Sequence, residues 1–128
     1  MDCRPNGKAF HVRGNTNRFK SVAMNNTDWL DPLQSAHIPI VGIDPAATLL
    51  WRDEYKSATS KIIQVLLPQE FLVEQDLSSI HCSGTWELLP HCIENSLAPQ
   101  SKMQWKQIFK SIGASLELKQ AACCGMGG

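Results

Sequence analysis

The chain carries no excess of either charge. Twelve Lys and Arg balance twelve Asp and Glu, for a formal net charge of zero. Nothing in that balance draws it to nucleic acid or to an anionic membrane, and it has no basic, aromatic-rich surface run. Long hydrophobic runs are missing too. No stretch reaches the ~18 consecutive apolar residues of a spanning helix. The opening Met1-Asp2-Cys3-Arg4-Pro5 lacks the apolar core of a signal peptide, so a cytoplasmic location without a transmembrane segment is expected. Also absent are internal repeats, low-complexity tracts, a phosphate-cradling glycine loop and a nucleophile elbow. Even cysteine pairing is missing: there are five. An odd count without an export signal argues against a disulfide framework and for reduced thiols, either as ligands or as small hydrophobes.

What is there suits one globular domain. A chain of 128 residues, 43% of them hydrophobic, can bury a real core. Residues 1–8, with the turn signal Pro5-Asn6-Gly7, read as an irregular lead-in to a single domain over 9–128. Ala9–Arg13 reads as a short strand. Phe19, Val22, Ala23, Leu30 and Leu33 recur at helical spacing over 17–35, with Asn15 or Thr16 as cap. Asn25-Asn26-Thr27-Asp28 and Pro32 leave open a kink, or a second helix begun at Asp28.

Pro39–Ile43 is a short β-branched run, the pattern of a strand buried on both faces. Asp44-Pro45 then starts a helix to about Ala58, with Ala47, Leu50, Trp51, Tyr55 and Ala58 inward and Arg52, Asp53, Glu54 and Lys56 outward. The segment 61–67 repeats the strand pattern, and Pro68 opens a short helix to about Gln75. Residues 76–84 form a loop, and 85–90 a strand that delivers His91-Cys92. Glu94–Gln100 reads as a turn. Ser101 caps a helix to Ile112 that Gly113 stops, and Leu116–Lys119 forms a last strand. This alternation predicts an α/β fold, a parallel Rossmann-like sheet of about four to five strands covered by helices. Parallel strands end on one edge, so Asp44, Cys92 and the pair Cys123-Cys124 are expected to converge there.

Those thiols carry the chemistry. Cys92 and Cys123 are separated by thirty residues, and Cys123-Cys124 is followed by Gly125-Met126-Gly127-Gly128. A vicinal thiolate pair beside backbone free of side chains suits a metal cluster, because glycine lets N–H groups approach cluster sulfides. Adjacent side chains diverge, so both sulfurs reach one centre only if it is large or the backbone bends, which Gly125 permits. A lone structural zinc prefers cysteines two to four residues apart. The competing readings are a pair of unligated thiols and, for Cys92, a small buried hydrophobe. His91 could donate to a cluster sulfide or shuttle a proton, or be a solvated loop histidine. His81-Cys82 with His91-Cys92 could make an incidental zinc site. Cys3 reads as inert, and Asp44 as a helix cap.

The run Pro90-His91-Cys92 followed by Cys123-Cys124-Gly125-Met126-Gly127-Gly128 resembles the cysteine-rich CCG domain of the heterodisulfide reductase type. With Ile38–Pro45, Thr48–Tyr55 and Gly84–Cys92, it is most similar to the C-terminal part of FAD-linked D-2-hydroxyglutarate or D-lactate type dehydrogenases. The resemblance covers roughly residues 7 to 128. It implies a 4Fe-4S cluster, with Cys92, Cys123 and Cys124 as ligands and His91 and Gly125 beside them. It also implies that FAD is bound elsewhere in the parent enzyme, and that the partners are flavin and ferredoxin-like domains, on the same or a separate chain. The family's motif continues beyond CCG to a further cysteine; this sequence has neither that cysteine nor a C-x-x-C-x-x-C run, so a truncated relative is expected. The function expected is electron transfer. A cofactor-free structural or interaction fragment and a small zinc domain are the alternatives.

Overall fold

Residues 4–120 are described by a computed structural model, and they form two compact units, one up to Leu66 and one from Leu67. In the first, α1 (Lys8–Val12) leads into α2 (Thr16–Ser35). The Asn15 side chain accepts from the Arg18 N–H at 3.2 Å, which satisfies one of the donors left open at a helix start. Helix α2 runs unbroken through Asn25–Asp28 and keeps Pro32 inside its last turn, so no second helix begins at Asp28. Its buried stripe, Phe19, Ala23, Asn26, Thr27 and Leu30, follows helical spacing.

The expected strand over 9–13 is instead the single turn α1. A strand would send Phe10 and His11 to opposite faces. As a helical turn, Phe10 packs on the core while the His11 ring sits 4.6 Å from that of Phe19.

Strand β1 (Ile40–Val41) pairs in parallel with β2 (Val65–Leu66), Ile40 opposite Val65 and Val41 opposite Leu66. Between them lie α3 (Pro45–Arg52) and α4 (Glu54–Ala58). The expected continuous helix over 45–58 thus breaks at Asp53. Arg52, expected outward, turns its guanidinium to the Val65 carbonyl at 3.0 Å (Nε) and 2.8 Å (Nη2), while Tyr55 goes into the core. The start is as the sequence indicates: Asp44 accepts from the Ala47 N–H at 2.6 Å, with proline in the first turn. Helix α3 passes so close to the end of β1 that a Cβ on Gly42 would meet Thr48 Oγ1 at 2.1 Å. Only glycine fits there. Phe19, Ala23, Leu50 and Tyr55 form one cluster, and Leu30, Ile63 and Val65 a second, with Trp51 packed against both. Burying each of the larger side chains stabilises the unit by roughly 1.5–3 kcal/mol.

The second unit contains α5 (Pro68–Leu72), β3 (Thr85–Leu88), α6 (Cys92–Leu97), α7 (Ser101–Ser111) and β4 (Ser115–Leu118). Strands β3 and β4 pair in parallel, Thr85 opposite Ser115 through Leu88 opposite Leu118. Gly113 ends α7 at a φ of 86°, as expected of a stop signal. The turn expected over 94–100 is largely the helix α6.

The fold is therefore mixed α/β, but the single four- to five-stranded Rossmann-like sheet is overturned. Among the described residues there are two separate two-stranded parallel sheets. The reason lies in the second face of each pair. Ile43 is 89% exposed and β1 only half-buried, so this is no strand covered on both sides. In the other pair, Trp86, Leu88, Leu116 and Leu118 share one face, and the Trp86 ring lies 6.1 Å from that of Phe109 on α7. The opposite face holds Thr85, Glu87, Ser115 and Glu117, with Lys119 bridging the two carboxylates at 3.0 Å each. A face this polar takes no second helical layer.

Candidate functional site

The site grows from the end of β3. Beyond the last pair, Leu88 with Leu118, the Lys119 N–H donates to the Leu88 carbonyl at 3.0 Å, so the two strands leave the sheet side by side. From Leu88 the chain passes through exposed Leu89 and buried Pro90 to His91, the N-cap of α6. The His91 ring turns back on its own helix, Nδ1 accepting from the Ile93 N–H at 3.4 Å. Cys92 is the first residue of the helix. It is exposed and in no disulfide.

Two residues on, Glu94 points the other way. It is buried, and its Oε1 accepts from Gln69 Nε2 on α5 at 2.8 Å and from the Ser101 hydroxyl at the start of α7. Gln69 Nε2 also donates to Ser101 Oγ at 2.7 Å. Gln69 and Ser101 are 1% and 3% exposed, so three short helices are tied by a closed polar triangle cut off from water. Ser101, expected as the cap of α7, is an interior residue of this triangle, and Gln100 takes the cap position without a side-chain bond. The spacing of His91 and Glu94, cap and third helical position, is the one clue the sequence offered. At an exposed helix start such a glutamate reaches back to the cap; here it turns inward.

Lys119 sits where β4 leaves the sheet, and its pKa is raised by Glu87 first and then by Glu117. Without that cation the two glutamates, directly opposite in the register, would repel.

Of the residues singled out from sequence, His91 and Cys92 stand together at this edge. Cys123, Cys124 and Gly125 lie outside the described residues, as does Cys3. Asp44 lies three residues past β1 in the other unit and serves as a helix cap, so the single sheet whose edge was to join it to Cys92 is not formed. Cys82 is half-buried, and its backbone N–H donates to the Ile112 carbonyl at 2.8 Å. Among the described residues no three His, Cys, Asp or Glu side chains are grouped to share a metal ion, so His81-Cys82 and His91-Cys92 do not make a zinc site. No helix among them is long and apolar enough to cross a membrane. An iron–sulfur cluster needs thiolates that are neither oxidised nor sealed in a core, and Cys92 fits that demand.

No protein-family model matches the chain, and no solved structure does. Curated sequences do match. The chain is 36% identical over 98% of its length to 14% of a D-2-hydroxyglutarate dehydrogenase of Haemophilus influenzae. It is 38% identical over 97% of its length to 13% of one from Escherichia coli. For the enzyme of Pseudomonas putida the identity is 37%, over 96% of this chain and 12% of the relative. The chain spans about an eighth of the length of these relatives, and over nearly all of its own length it is homologous to one segment of D-2-hydroxyglutarate dehydrogenases.

Proposed function

We propose that the chain is an electron-transfer segment of a D-2-hydroxyacid dehydrogenase of this type, with Cys92, Cys123 and Cys124 as thiolate ligands of a 4Fe-4S cluster. The observation that carries the reading is the β3–β4 register, because it starts the two cysteine-bearing stretches from neighbouring strand ends. Leu118 is five residues from Cys123, and Leu88 four from Cys92. At ~3.3–3.6 Å per extended residue, both stretches are long enough to meet. The exposed Cys92 thiol and the similarity to the dehydrogenase segment support the same reading. A bound cluster would accept and release single electrons. The chain's own part is to hold the sulfurs, with the exposed His91 ring as a neighbouring donor and Gly125 leaving room for close backbone N–H contact. FAD and the oxidation of the hydroxyacid would belong to other domains, of the same enzyme or of a partner chain, and the work of this segment would be cytoplasmic.

Anaerobic reconstitution with iron and sulfide tests the reading. The unaltered chain is expected to give a brown species, with an EPR signal on reduction, and Cys92→Ser to lose most of the bound iron. A colourless product from the unaltered chain, or one zinc per chain as purified, overturns it.

A further inference from the structure

Helix α6 is six residues long, and a helix of that length has little stability of its own. Its apolar residues Ile93 and Leu97 stand one turn apart, but Leu97 is 51% exposed and Ile93 only half-buried. Its first turn is closed by the Asn95 N–H bond to the His91 carbonyl and the long Ile93 contact to the imidazole, both at the surface. Something else must keep Cys92 in one place. Pro90 before the helix and Ala98 after it are buried, and within the helix the buried residue is Glu94, two positions past Cys92 and bonded to groups on the two flanking helices.

We infer that Glu94 is a positioning residue, whose buried bonds to Gln69 and Ser101 hold the turn His91–Cys92 fixed at the end of β3. A buried polar side chain is costly unless it is hydrogen-bonded, and here Gln69 and Ser101 supply the two donors. Leucine would fill the volume without that cost, but it would not fix a direction. Hydrogen bonds do, and a ligand turn at a sheet edge requires a set direction. The triangle is complete only when all three members are present, so removing any one leaves buried polar atoms without partners. The inference rests on the proposed ligand role of Cys92 for its purpose. It does not rest on that role for its physics.

The test uses the full chain with Glu94→Ala and Glu94→Gln. Hydrogen exchange is read residue by residue, and the EPR spectrum is read after reconstitution. Glu94→Ala is expected to speed amide exchange over residues 92–98 by about tenfold or more, leaving the Lys119 amide, bonded across the strands, near its original rate. Glu94→Gln keeps an acceptor oxygen at the same place and is expected to restore slow exchange and an unbroadened signal. Exchange over 92–98 unchanged in Glu94→Ala, or accelerated equally throughout residues 67–120, overturns the inference. If the unaltered chain takes up no cluster, the electron-transfer reading fails, and the exchange measurements still decide whether Glu94 holds the turn.

Discussion

The two units solve the same problem with different materials. Each folds a two-stranded parallel sheet around intervening helices. The unit up to Leu66 does so mainly with apolar contact: Phe19, Ala23, Leu30, Leu49, Leu50, Tyr55, Ile63 and Val65 are all buried, beside the polar Asn26, Thr27 and Thr48. From Leu67 onward the buried apolar side chains among the described residues are fewer, Leu67, Pro90, Ala98, Ile108 and Ala114, and the buried polar ones are Gln69, Glu94 and Ser101. Apolar burial is non-directional and tolerates small shifts. A closed polar triangle is directional and fails as a whole. The candidate ligand Cys92 lies in the unit held by the directional device, and that is where close placement matters. The larger apolar core and the candidate ligand thus lie in different units of the chain.

The largest effect is expected of Leu50→Ala. Leu50 is 1% exposed at the centre of the aromatic cluster, and truncation should cost about 2–5 kcal/mol. The loss should appear as faster hydrogen exchange in residues 4–66, ahead of residues 67–120. Simultaneous loss in both would show that the division into two differently held units is wrong.

A smaller change sharpens the apolar side. The Tyr55 hydroxyl donates to the Asn6 carbonyl at 2.7 Å and accepts from Asn26 Nδ2 at 3.0 Å, and burial raises its pKa above the ordinary value of 10.0. Because the folded-state value is the higher, this contribution is whole below about pH 10 and is lost as pH rises through the folded value. Tyr55→Phe should destabilise the chain by about 1–2 kcal/mol near neutrality and flatten the fall in melting temperature above pH 10. An unchanged alkaline slope would mean that the phenol is not kept neutral by burial.

Much of the first unit was legible because its signals are local. Asn15 caps α2, Asp44-Pro45 opens α3, and the spacing of Phe19, Ala23 and Leu30 marks the buried stripe. In the second unit Pro68, Gly113 and the alternation at Leu116 and Leu118 mark their elements in the same way. What local signals did not show was set by partners distant in sequence. The buried residue of α6 is Glu94, bonded to Gln69 twenty-five positions earlier, and a single apolar pair, Ile93 and Leu97, is too short a pattern to announce a helix. Ser101 reads as a cap by residue type, but its hydroxyl is claimed by the same glutamate. The polar face of β3 and β4 is readable in Thr85, Glu87, Ser115 and Glu117. It was outweighed by the alternation of strands and helices, which suggested one covered sheet. For the site, the sequence marked Cys92 at the end of a strand over 85–90; it lies four residues past β3, as the first residue of α6, and Cys123 and Cys124 lie outside the described residues.

The central claim is that Cys92 and the vicinal pair share one sheet edge. Disulfide trapping measures this without any metal. A bridge forms only when the Cα atoms come within about 7 Å. Mild oxidation of the native chain, followed by peptide mapping, should give Cys92 joined to Cys123 or Cys124 as the main product. Oxidation that leaves Cys92 unpaired, or links it mainly to Cys82, would contradict the account.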